Sequence, residues 1–299
     1  MASVVWIIQF ALLVDCICDA HKSLWEINSH LKSDVLQYDE GVTGSRRMMA
    51  AVRRDDGGIR WPGNTIPYVL SAEYTSAEKD ILRASFNHLE RVSCFKFIER
   101  SHETDYLNIQ PLDGCYSYVG RIGGEQKMSL AVDCLVDYII WHEMLHVVGF
   151  EHEHQRPDRD NYIKVLFDNV NPDQIGNFDK IPPIDLEINE HKYDYKSVMH
   201  YDGMAFGMWD PINGRRKVTM VPLQPNVQLI DNMYLTRLDI EKLNQIGNCH
   251  LRQRSIGSCM DKGKNCMAYL RKGFCNKPKY VKILKQTCER TCNLCNVRV

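Results

Sequence analysis

The chain has 299 residues, with 37 Lys/Arg against 38 Asp/Glu and a formal net charge of −1. That length allows one large domain plus something smaller, and the near balance of charge gives no overall argument for nucleic acid or an acidic membrane surface as a partner. The balance conceals an asymmetry, because Cys259 to Val299 carries ten Lys/Arg against two acids and leaves −9 for residues 1 to 258.

In chain order, Val4 to Val14 is an apolar run too short to span a bilayer, followed by Cys18, Asp19 and Ala20. It reads as a signal peptide, residues 1–20, cleaved after Ala20, although no Lys or Arg precedes the run. No later segment is long or apolar enough to cross a membrane, so a soluble, secreted product is expected. Ten of the twelve cysteines remain once Cys16 and Cys18 leave with the signal. An even number suits disulfides formed in an oxidising compartment. Residues 21–49 are polar and include the basic pair Arg46 and Arg47; they read as a removable propeptide or as a flexible N-terminal extension. Cleavage is expected between Arg47 and Val52, at the start of a larger unit spanning 50–250.

Within that unit, "IRWPGNTIPYVL" alternates apolar and polar residues between Pro and Gly, which predicts a strand over Thr65 to Leu70. Thr75 and Glu78 form a capping box, and Ile81, Leu82, Phe86, Leu89 and Val92 recur at helical spacing, so Ser76 to Val92 is predicted as a helix packed on a sheet. Phe95 to Ile98 and Tyr106 to Ile109 are the next candidate strands. A second helix is predicted from about Leu135 to Val148, with Leu135, Ile139, Leu145 and Val148 facing the core. From Arg156 to about Asp231 the chain is rich in Asn, Asp, Pro and Gly, which predicts an irregular subdomain, and one late helix is expected near Leu235 to Ile246. These elements make the expected fold class α+β.

"HEMLHVVGFEHEHQRPDRD", His142 to Asp160, overlaps the end of the second helix. A bare His-Glu-x-x-His occurs by chance in roughly one in thirty chains of this size, and alone it reads equally as an exposed helix face. The continuation is what gives it weight. His142 and His146 lie one turn apart and project from one face, so both imidazoles can meet one ion. Glu143 is rotated beside that ion, as a general base acting on water requires. Gly149 can end the helix with a positive φ, and His152 can then return as a third ligand. Three neutral imidazoles and an open position describe a catalytic zinc site, whereas a structural site would close all four positions with protein ligands. Met199, in "YDYKSVMHYDG", is expected in a tight turn and by itself reads as ordinary core.

The run from His142 to Asp160 resembles the extended zinc signature of the astacin family of metzincin peptidases, H-E-x-x-H-x-x-G-x-x-H-E-x-x-R-x-D-R-D, at every fixed position. "SVMHY" resembles the family's Met-turn, "RWPGNTIPY" resembles the start of its catalytic domain, and the resemblance covers about Val52 to Cys249. It implies a two-subdomain zincin fold, one zinc ion per subunit held by His142, His146 and His152, and Glu143 as base. It also implies Tyr201 as a displaceable further ligand that stabilises the oxyanion, Met199 as the hydrophobic floor beneath the zinc, and Glu153 as the acceptor of the mature N-terminus. The implied disulfides are Cys94–Cys249 and Cys115–Cys134, although the sequence alone allows three connectivities. The loop "CYSYVGRIGGEQKMSLAVDC" is expected over the cleft, with "GRIGGEQKMSL" offering an edge strand to an extended protein or peptide substrate. Members of the family often supply a propeptide Asp to the zinc from an F-x-G-D-like motif; the nearest text here is "QYDEG", which makes Asp39 the candidate latency ligand, with a solvated loop acid as the alternative.

After a short linker, 251–258, six cysteines fall within 259–295, too small a segment to fold on a hydrophobic core, so disulfides must replace one. The compact final Cys288, Cys292 and Cys295 also admit a zinc reading, which an exported context disfavours. The spacing resembles the ShKT domain of sea-anemone potassium-channel toxins and many invertebrate astacins, and implies Cys259–Cys295, Cys266–Cys288 and Cys275–Cys292. Lys279 and Tyr280 echo the toxin's Lys-Tyr pair that plugs a cation pore. A basic surface docking to acidic substrates or matrix is the other reading. The functions this leaves open are a secreted zinc endopeptidase made as a zymogen, and a channel-blocking or matrix-binding protein acting through its tail.

Overall fold

The computed structural model describes residues 22–36, 60–182, 191–249, 261–263, 265–289, 291–292 and 294. The expected signal segment, Asp39, the cleavage region, the linker, and Cys259 with Cys295 lie outside these residues.

The N-terminal segment contains one helical turn, α1 (Leu24–Ile27), closed by a capping box between Ser23 and Glu26. The main unit begins with β1 (Thr65–Leu70) and α2 (Ser76–Val92), whose Thr75 hydroxyl accepts the Glu78 N–H while the Glu78 carboxylate accepts the Thr75 N–H at 2.7 Å. Leu82, Phe86 and Leu89 are buried on its inner face, whereas Ile81 is turned to solvent. One residue's rotation, about 100°, carries it off the stripe that Leu82 belongs to.

Four parallel strands, β2 (Lys96–Glu99), β1, β3 (Tyr106–Gln110) and β5 (Glu125–Leu130), lie side by side in that order, and β4 (Cys115–Tyr116) closes the sheet antiparallel to β5. The expected edge strand in "GRIGGEQKMSL" is therefore corrected. Residues 125–130 are β5, with β3 on one side and β4 folded back over its C-terminal end, so the outermost strand is β4, prolonged by Ser117.

Helix α3 (Asp137–Val148) packs against α2 and the sheet. Every residue from Ile139 to Val148 is buried, which is why its apolar residues run round the helix rather than in a stripe. It ends where Gly149, at φ 112°, donates its N–H to the His146 carbonyl at 2.8 Å, a conformation that a side chain strains. The chain then enters a second half built from 3₁₀ turns and two strand pairs, β6 (Ile163–Val165) with β9 (Met220–Pro222) and β7 (Trp209–Asp210) with β8 (Arg215–Arg216). Its own core gathers Ile163, Phe178, Tyr193, Tyr201, Phe206 and Met220. Helix α4 (Arg237–Ile246) follows, and Cys94–Cys249 fastens its far end to the start of the sheet, while Cys115–Cys134 ties β4 to the approach to α3.

In the tail, α5 (Cys266–Arg271) and α6 (Pro278–Thr287) are held by Cys266–Cys288 and Cys275–Cys292. Among the described residues, four half-cystines and two leucines supply its buried apolar side chains.

Candidate metal centre

Helix α3 sets His142 and His146 on one face, and the turn after Gly149 brings His152 to meet them. The three Nε2 atoms lie 3.1, 3.2 and 3.3 Å apart. Each Nδ1 faces an acceptor: the Val198 carbonyl at 2.8 Å for His142, the Phe150 carbonyl at 2.7 Å for His146, and the Gln155 side-chain oxygen at 3.0 Å for His152. Those acceptors place the proton on Nδ1, so three Nε2 lone pairs converge on one point. Three lone pairs cannot hydrogen-bond to one another, but they are what a cation needs. Nitrogens each 2.0 to 2.1 Å from a tetrahedral zinc ion would stand about 3.3 Å apart, and the observed spacings fit that edge.

The fourth group at this point is Asp34, a carboxylate from the N-terminal segment with Oδ2 3.1 Å from His152 Nε2 and 3.3 Å from His142 Nε2. These four ligand atoms all lie within 4.8 Å of one another. Burial raises the Asp34 carboxyl; when His152 and His142 are also protonated on Nε2, their charge and hydrogen bonds outweigh burial and hold the group well below the ordinary carboxylate range. Tyr201 donates its hydroxyl to both Asp34 oxygens at 2.9 Å, and burial together with Asp34 keeps that phenol protonated, far above its ordinary value.

Asp34 is held from both sides. Ser117 N–H donates to the Asp34 carbonyl at 2.9 Å, and Leu36 N–H donates to the Ser117 carbonyl at 2.8 Å. Asn28 exchanges hydrogen bonds of 2.6 and 2.8 Å with the Cys115 backbone, while Gln174 and Asn177 donate to the Leu31 and Lys32 carbonyls at 2.8 Å. The segment therefore lies between the sheet edge and the second half of the unit.

Glu143 is wholly buried, and neither of its carboxylate oxygens has a hydrogen-bond partner among the described residues. Desolvation, then the Asp34 charge, pushes its carboxyl well above the ordinary range. An unpartnered buried carboxylate is costly unless a cation, a water or a substrate group answers it. Met199, fully buried, accepts the Glu153 N–H on its carbonyl at 3.0 Å, so its turn supports two residues of the site, His142 through Val198 and Glu153 through Met199. The Glu153 carboxylate is filled from within the chain by Lys242 Nζ at 2.6 Å, Arg156 at 3.0 Å and the Asp194 N–H at 2.8 Å.

The residues missed by the sequence reading are Asp34, Gln155 and Lys242. Gln155 was findable, since a metal-bound histidine usually donates its other ring N–H to a nearby acceptor and Gln155 stands three residues beyond His152. In the tail, Lys279 is exposed with its ammonium 4.9 Å from the centre of the Tyr280 ring, and that ring packs on Phe274.

Residues 54–248 match the peptidase family model described as Astacin. The chain belongs to the astacin family. Residues 258–295 match the ShK domain-like model. Relatives include zinc metalloproteinase nas-12 of Caenorhabditis elegans, 43% identical over 98% of this chain and 83% of its own length, and nas-6 of the same organism, 34% identical over 79% and 74%. Among solved structures, high choriolytic enzyme 1, a hatching enzyme zinc-protease from the medaka Oryzias latipes, aligns with a TM-score of 0.60 at 32% identity, covering 67% of this chain and all of that one. Enzyme class and cofactor follow: this astacin is a zinc metalloproteinase whose His142, His146, His152 and Asp34 cluster fits the ion. Among the described residues, no helix is long and apolar enough to cross a membrane.

Proposed function

We propose that this astacin is a secreted endopeptidase made as a zymogen, in which Asp34 silences the zinc site until the N-terminal segment is removed. The observation that carries the reading is the pairing of a converging three-histidine site with a buried, unpartnered Glu143 beside it. Zinc, held by His142, His146 and His152, supplies Lewis-acid activation of water and of a peptide carbonyl. Glu143 accepts the proton of the attacking water and returns it to the departing amide nitrogen, a service worth about 10²- to 10⁴-fold in rate. The protonated Tyr201 hydroxyl, freed from Asp34, donates to the oxyanion that develops on the carbonyl oxygen. Val198, Phe150 and Gln155 fix the imidazole tautomers.

Secretion is supported by the N-terminal apolar run and by the disulfides. The basic tail is read as a docking module for an acidic matrix or a channel. In the uncleaved chain Lys242 and Arg156 hold the Glu153 carboxylate, where the mature N-terminus is read to dock after cleavage.

Hydrolysis of denatured casein by trypsin-treated, zinc-loaded protein tests the reading. Glu143→Gln and a zinc chelator should each abolish cleavage, with the Glu143→Gln protein still folded. Full activity in Glu143→Gln, or none in the folded wild type, would overturn it.

A further inference from the structure

Among the described residues, the core of the second half of the unit is assembled from that half with one exception, Trp25, which the N-terminal segment inserts from α1. It is 5% exposed. Its ring lies 6.2 Å from that of Phe206 and has the Arg216 guanidinium over it at 5.6 Å. Its indole N–H donates to the carboxylate of Asp202, whose other oxygen accepts the Met204 N–H at 2.6 Å. Asp202 is thus aimed at the end of the slot by its own backbone turn. A cavity of about 20 Å³ continues from Trp25 to Tyr201 and the zinc ligand His142, with Asp231 and Asn232 on its wall. The place that Trp25 fills therefore adjoins one zinc ligand, His142, and Tyr201 across this cavity, and Trp25 belongs to the segment that the proposed activation removes.

A slot that lost Trp25 would keep an apolar wall from Phe206, a cation over its open face at Arg216, and at its end a carboxylate oxygen deprived of the indole donor. The Arg216 guanidinium over the slot opposes a cationic side chain. The arrangement favours an aromatic ring that ends in a donor. An acidic side chain would face Asp202, a small one would leave the slot unfilled, and phenylalanine would offer no donor to the carboxylate oxygen that now accepts the indole N–H.

We propose that the slot occupied by Trp25 is a substrate side-chain pocket beside the zinc, and that Asp202 makes it select an aromatic side chain carrying an N–H or O–H donor, tryptophan before tyrosine and both before phenylalanine. The inference rests on the peptidase reading given above. In the latent chain Trp25 fills the pocket as a resident mimic of that side chain while Asp34 covers the metal.

The test uses trypsin-activated full-length protein and peptides that differ at a single position flanking the scissile bond, each position being varied in turn. The decisive pair is tryptophan against 3-benzothienylalanine, which keeps the shape and lacks the N–H. At one position kcat/KM should fall on the order of tenfold to a hundredfold from tryptophan to benzothienylalanine, because a hydrogen bond to a charged group is lost, and Asp202→Ala should level the two. Equal rates for the pair at every position, or a preference for acidic or small side chains throughout, overturn the inference even while casein is still cleaved. Failure to cleave casein counts against the peptidase reading instead. In that event the same two peptides, labelled for fluorescence anisotropy, are compared on Glu143→Gln protein, where equal affinities overturn the pocket and tighter tryptophan binding upholds it.

Discussion

Helix α3 with the turn behind it, and the N-terminal segment 22–36, deliver ligands to the same point by opposite means. The helix is buried on every side from Ile139 to Val148, and its histidines are locked by carbonyls and by Gln155. The segment reaches the site through one carboxylate and one indole, packs Leu24 and Ile27 against the main core, and adds a handful of hydrogen bonds, with Lys22 ion-paired at the surface to Asp133 and His30 3.0 Å from Asp113. Exposed pairs of that kind contribute little. A ligand that must stay is carried on a helix buried on every side, whereas a ligand that must leave is carried on a short chain held by a few apolar anchors and single hydrogen bonds.

The contrast predicts that damage to the first region reads out as stability and damage to the second as latency. Lys242 is the sharpest case on the first side. It is 2% exposed and pairs with Glu153, itself 5% exposed, next to a zinc ligand. Lys242→Met strips one partner from a buried charge that keeps Arg156, and should cost about 3 kcal/mol, measured by denaturant unfolding of the zinc-loaded protein. A loss below about 0.5 kcal/mol, the level of an ordinary surface change, would break the comparison there. On the second side, Asp34→Ala removes the acceptor of the Tyr201 hydroxyl and, among the described residues, the one carboxylate in the histidine cluster. Hydrogen bonds to a charged group are worth about 1.5 to 3 kcal/mol, so casein hydrolysis by the uncleaved chain should rise roughly tenfold to a hundredfold. The unfolding midpoint of the main unit should stay close to that of wild type. Silence in the uncleaved Asp34→Ala chain would mean that the segment blocks by bulk alone.

The same division governs what is legible in the sequence. The histidines, Glu143 and Gly149 are readable because a helix turns a spacing of four into a shared face within a few residues of sequence. β1, α2 and α4 are readable from alternation, a capping box and apolar periodicity. Asp34 is not, since it reaches His152 across 118 residues by tertiary contacts and, in sequence, is one acid among several in a polar stretch; the candidacy of Asp39 rests on a motif likeness that says nothing about reach. β4 escapes notice because two residues carry no alternation. Lys242 looks like a solvated helix lysine, and only its distant partner Glu153 reveals that it is buried.

The smallest effect expected lies where the two regions meet. Asp231 belongs to the main unit, yet its carboxyl is pushed up to about 7 first by burial, then by Asp202, and then by Glu26 of the N-terminal segment. Its folded value is raised above the unfolded one, so the intact chain holds a proton there that the unfolded chain releases at lower pH. Stability from this group is fully present below about pH 4 and is lost as pH rises through about 7. Asp231→Asn keeps the shape and cannot ionise. Its unfolding midpoint should therefore gain on that of wild type between about pH 5 and 8, with the gap widening upward, and the gap should shrink once the segment that carries Glu26 has been removed. An unchanged gap after removal would show that the segment adds nothing to the strain on Asp231.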